Sequence, residues 1–155
     1  MKKTIILLLF MLLAATAIGA DVFMGDEQPE YLFVVSAPSG SFDGDVLTLE
    51  GVSAVVYFSD RPERIAGHMV VSDFILLWDE GEDSFMVDPP NATLSIIDDG
   101  TMGGDVVVEL TDADSVGDTL AFHIDVLDGV VPGAFGTASL FLDAAPTEVN
   151  SMITD

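Results

Sequence analysis

From Tyr31 onward the chain alternates short apolar runs with Gly, Pro, Asp and Asn, at the spacing expected of an all-β sandwich or barrel. The clearest run is Thr119–Leu127. There Leu120, Phe122, Ile124 and Val126 alternate with Thr119, Ala121, His123 and Asp125, so one face packs inward and the other meets solvent. Val106, Val108 and Leu110 repeat the pattern around Val107 and Glu109. With Tyr31–Ser36, Asp45–Glu50, Ser53–Phe58, Ser84–Val87, Thr93–Ile97 and Thr137–Leu142, the pattern predicts eight short strands. Turns are supplied by Ser41–Gly44, Asp98–Gly100, Met102–Gly104 and Asp128-Gly129, where Gly accepts positive φ and Asp bonds to nearby backbone.

One stretch departs from period two. In Ser72–Gly81, Phe74, Ile75 and Trp78 fall on one helical face, Ser72 is placed to cap the start and Gly81 to end it. The fold class read from the pattern is therefore mainly β: a single β-sandwich-like domain with one short helix near residues 72–80. Trp78 and Phe85 are expected to anchor the core, and Asp88-Pro89-Pro90-Asn91 to make a rigid entry into the following strand. Asn91-Ala92-Thr93 also matches the N-glycosylation pattern, which is read here as coincidence.

The first twenty residues read differently. Lys2 and Lys3, an apolar run from Ile5 to Leu13 and small residues up to Ala17 and Ala20 have the layout of a secretory signal peptide cleaved after Ala17 or Ala20. The run is shorter than the ~20 residues of a membrane span. The expected organisation is thus a signal peptide at 1–20, one domain at 21–143 and a flexible tail at 144–155. The expected location is outside the cytoplasm: periplasmic, cell-surface or extracellular.

Charge narrows the classes of partner. Against 27 Asp and Glu, the exported chain keeps Arg61 and Arg64 as its only formal cations, a net charge of −25 with His neutral. Such a balance repels phosphate backbones, so nucleic acid is not an expected partner. The absence of cysteine removes disulfides, thiol catalysis and thiolate metal sites.

Both arginines lie in one stretch, YFSDRPERIAGH, from Tyr57 to His68. Pro62 and Gly67 make it a defined loop that presents Arg61, Arg64 and His68 from a small surface. Arginine's planar fork suits carboxylate or phosphate, so a small anionic ligand is one reading. The other is structural: the arginines pair with Asp60, Glu63 or a more distant carboxylate and pin the loop, with Arg61, at the strand exit, as the anchor. His68 is also placed to act as a base, with Asp73 or Asp79 to orient it.

Other chemistry finds less support. With two histidines and no H-E-x-x-H, a zinc enzyme is not expected, and G-x-S-x-G, G-x-G-x-x-G and the P-loop are absent. Asp112–Asp118 begins like a calcium loop, but Val116 replaces an oxygen ligand and His123 stands where an EF-hand needs Glu. Asp98, Asp99 and Asp105 read first as solvated hairpins. No metal is assigned, and the residues name no cofactor.

The combination of VVYFSDRPERIAGH, FILLWDEGEDSFMVDPPNATLS, VVVELTD and GDTLAFHIDVLDG resembles a functionally uncharacterised family of small exported prokaryotic proteins with a YFSDRPxRxAG…W…DSF…DPPNA pattern. The resemblance spans most of the domain and implies export and a single small domain; it assigns no active site. The function expected is that of a non-enzymatic binding or envelope-associated module, with an unknown protein or small ligand met by Arg61, Arg64 and His68. The alternative is a small hydrolase using the 57–68 loop with His68 as base.

Overall fold

Alternating burial produces most of the architecture. A computed structural model describes residues 29–79, 84–98, 101–102 and 104–144. The strands are β1 (Tyr31–Ala37), β2 (Ser39–Phe42), β3 (Val46–Glu50), β4 (Val55–Ser59), β5 (Ala66–Met69), β6 (Asn91–Asp98), β7 (Thr101–Met102), β8 (Val106–Val116), β9 (Thr119–Asp128), β10 (Ala134–Phe135) and β11 (Ala138–Ala144). A short helix, α1 (Val71–Ile75), runs into a 3-10 turn at Leu76–Trp78. All strand pairs are antiparallel, in the order β10-β2-β3-β9-β8-β6-β11-β1-β4-β5, with β7 beside β6.

That order folds back on itself. β1 and β2 stand six places apart, which in a flat sheet means roughly 29 Å. Only Pro38 separates them in sequence, so Ala37 and Ser39 lie within ~7 Å. One ladder also runs through the break in constant register, with Tyr31 opposite Ala144, Ala37 opposite Ala138, Gly40 opposite Phe135 and Ser41 opposite Ala134. β1–β2 and β10–β11 are therefore two bent strands, and the path β2-β3-β9-β8-β6-β11 returns to β1. The ring has an even number of strands, as antiparallel closure requires. The result is the mainly β, sandwich-like domain expected from the sequence, with strands passing from one wall to the other at bends.

The inward residues of these strands form one core. Phe33, Leu49, Leu94, Leu110, Phe122 and Leu140 are wholly buried. The helix packs into it: the Phe74 ring lies tilted against Phe33 of β1 at 5.5 Å, and Trp78 lies 5.8 Å from Phe122 of β9, so an aromatic chain crosses the interior. The Trp78 indole N–H donates to the Leu110 carbonyl at 3.4 Å.

Some elements differ from expectation. Ser84–Val87, expected as a strand, is a turn closed by the Val87 and Asp88 amides on the Ser84 carbonyl. Phe85 is drawn instead onto Trp78, at 4.8 Å, and its own amide donates to Leu77. Helix α1 starts without a side-chain cap, the amides of Asp73 and Phe74 donating to the Val70 carbonyl instead of a capping Ser72 side chain. Leu77, outside the expected helical face, joins the core. The segment read as a signal peptide, Gly81, the expected Asp99-Gly100 turn and the expected tail beyond Ala144 lie outside the described residues.

Candidate functional site: the β4–β5 hairpin

The segment read as a loop is a hairpin. Val55–Phe58 pairs with Ala66–Met69, which places His68 opposite Val56 and Ala66 opposite Phe58. The turn between is held by backbone and one hydroxyl. The Ser59 amide donates to the Ile65 carbonyl at 2.8 Å, the Ile65 amide donates to Ser59 Oγ at 2.9 Å, and the Arg64 amide donates to the Asp60 carbonyl at 3.1 Å. The Arg61–Pro62 peptide is cis. Gly67 sits in the strand rather than a turn, because any side chain there would collide with the Tyr57 ring.

The arginines occupy the tip. Both are exposed, and among the described residues neither forms an ion pair or a side-chain hydrogen bond. This corrects the anchoring expectation for Arg61: Asp60 and Glu63 are sequence neighbours, but among the described residues neither guanidinium group has a partner. Arg64 has φ +54°, a left-handed conformation that costs a non-glycine residue about 1–2 kcal/mol. The two arginines, with Phe58, Ser59, Asp60, Ile65 and Ala66, line an open cleft of about 510 Å³. A second cleft, about 320 Å³, shares Phe58, Ser59 and Asp60 with it and adds Glu30 and Asp143. Below the tip, Tyr31 is buried; burial first, then Tyr57 and Glu63, push its phenol pKa up.

His68 is exposed on β5, and among the described residues it has no carboxylate or hydroxyl partner. Asp73 and Asp79 do not orient it. The other histidine, His123, meets Asp45 Oδ2 at 3.1 Å from the turn before β3 rather than Asp125 on its own strand. Among the described residues no three His, Asp or Glu groups converge as metal ligands. Asp112 and Asp114 lie in the long β8–β9 hairpin, where each accepts the amide of the next residue.

Sequence reading missed the surface around the hairpin. By register, Thr93, Phe141, Val34, Val56 and His68 form one row across the outer face of β6, β11, β1, β4 and β5. Asn91, Asp143, Leu32, Phe58 and Ala66 form the next. Only Asp143 in these two rows is acidic, while Val56 is 47% and Phe58 41% exposed. The outer face of β8 and β9 is the opposite, with Glu109 directly across from Asp125 and Asp114 farther along. Strand alternation carries the signal in each strand, but only the sheet order joins the strands into an acidic wall and a nearly neutral one.

Compared with known proteins, the chain matches no family model, no curated protein and no solved structure.

Proposed function

We propose that this protein is an exported, non-enzymatic binding module whose working surface is the β4–β5 hairpin, with Arg61, Arg64 and His68 meeting an anionic group on a protein or small ligand. One observation carries the reading: in a chain with 27 acids, two exposed arginines stay unpaired among the described residues, one of them in left-handed backbone. Strained residues persist where the side chain has a use that a relaxed glycine cannot serve. An open cleft floored by Phe58 and Ile65 adds apolar contact beside the two forks. The lack of a partner for His68 among the described residues favours binding over its use as a base.

The chain has no other arginine, so its guanidinium Nε–H NMR spectrum contains two signals. Titration with inorganic phosphate and with a tetraglutamate peptide, at constant ionic strength, is expected to shift both saturably. Chloride at the same ionic strength is expected to leave them in place. Signals that respond identically to all three would remove the anion-binding reading.

A further inference from the structure

We infer that the hairpin's partner is a second copy of this chain, joined edge to edge through β5 in antiparallel, two-fold fashion; the inference rests on the reading of the β4–β5 hairpin as the binding surface. The argument begins with the direction of backbone groups. The bond from the Ser59 amide to the Ile65 carbonyl marks that pair as a hydrogen-bonded one. Antiparallel alternation then turns Gly67 and Met69 inward to Tyr57 and Val55. The N–H and C=O of Ala66 and His68 consequently point away from β4. Among the described residues β5 has no other neighbour, so these four groups form an open edge.

Apart from the four-residue length of β5, the edge lacks the devices that keep strands apart. From Ile65 to Ser72 the chain has no formal charge and no proline. The edge is also self-complementary. A two-fold axis at Gly67 sets Ala66 opposite His68 of the second copy and His68 opposite its Ala66, pairing all four groups. The nearest charges on the two sides of this run are Arg64 before it and Asp73 after it, and both are exposed. Antiparallel pairing brings Arg64 of each copy, on a tip whose Asp60 and Glu63 offset its two arginines, toward Asp73 of the other, whereas parallel pairing would set like ends together. Charge selects the same side on a larger scale: two chains of −25 approach with least repulsion through their neutral walls, leaving the Glu109 and Asp125 faces outermost.

Sedimentation equilibrium of the full exported chain tests this. A monomer–dimer equilibrium is expected, with the dimer favoured about tenfold or more by raising NaCl from 0.05 to 0.5 M as the net repulsion is screened. Ala66→Pro removes an amide that the monomer does not use and should abolish the dimer while preserving the circular dichroism spectrum. Ala66→Lys, a mild surface change, should do the same, and Ala121→Lys on the acidic wall should not. Hydrogen exchange at the Ala66 and His68 amides should slow with protein concentration. A monomer at every concentration and salt overturns the self-pairing, as does a dimer indifferent to both changes at Ala66 or one in which these amides stay fast. If the monomer's arginine signals still respond to phosphate or tetraglutamate, the hairpin's anion-binding role stands without it; if they do not, both fall.

Discussion

Ser59 Oγ accepts the amide hydrogen of Ile65 at 2.9 Å, closing the β4–β5 hairpin from inside at a residue only 7% exposed. The turn is thus tied by a buried hydroxyl, and the arginines stand outside that tie. Ser59→Ala should cost about 1–2 kcal/mol by stranding the Ile65 amide. Arg61→Ala should change stability by no more than about 0.5 kcal/mol, as expected for an exposed surface substitution. Urea melts of the two variants decide the assignment: a loss of ~3 kcal/mol or more for Arg61→Ala would mean that it holds a buried carboxylate after all.

Gly67 is required by its cross-strand neighbour. A Cβ at this position would meet the Tyr57 ring well inside van der Waals distance, and that ring is in turn set edge-on to Tyr31 at 6.1 Å. Gly67→Ala should therefore destabilise by about 1–3 kcal/mol. The penalty should shrink in a Tyr57→Val background, where the obstructing ring is gone, and a double-mutant cycle measures that coupling. Equal losses in both backgrounds would place the cost elsewhere.

Glu109 and Asp125 face each other across β8 and β9 on the acidic wall. Like charges in direct cross-strand register repel, so Glu109→Lys should raise stability by about 0.2–1 kcal/mol. The gain should fall in 1 M NaCl, where the Debye length is about 3 Å. For the same reason the parent protein should melt at higher temperature as NaCl is added. A variant gain that persists undiminished in high salt would point to packing instead of charge.

Asp43 gives the chain a local pH dependence. Its Oδ1 accepts the amides of Val46 at 2.8 Å and Asp45 at 3.0 Å, and these bonds, with a smaller contribution from His123, hold its pKa below the usual aspartate value. A carboxyl depressed in the folded state stabilises it at pH values above the unfolded pKa, and that contribution is lost as pH falls through the folded one. The turn before β3 should accordingly keep its bonds at neutral pH and loosen only in acid below the ordinary aspartate range. Carboxyl NMR titration should show Asp43 titrating below the ordinary aspartate range, and Asp43→Ala should remove that transition. A normal Asp43 titration would refute the turn's role.

Strand alternation made much of this fold legible in the sequence. Val106–Leu110 and Leu120–Ile124 display their inner faces residue by residue, since a strand with one buried face must repeat every two positions. The helix was legible for a similar reason, with Phe74 and Trp78 one turn apart. Ser39–Phe42 was not, because Ser41 and Phe42 read as the start of the Ser41–Gly44 turn and only the ladders with Thr48 and Phe135 make the segment a strand. β5 was hidden in the same way. Ala-Gly-His-Met has no alternation of its own, and its pairing depends on the room that Tyr57 needs.

The sequence by itself determined the class of fold, the acidity and the concentration of both arginines between Tyr57 and His68, because composition and short-range periodicity are properties of neighbours along the chain. The tertiary structure alone decided that Arg61 is exposed and not an anchor, that β1 and β2 are one bent strand, and that acids gather on one wall while β5 ends the other as an open edge. Each of these depends on which strands lie side by side. That order is set by long-range pairing through one shared core, where residues as distant as Tyr31 and Ala144 come into register.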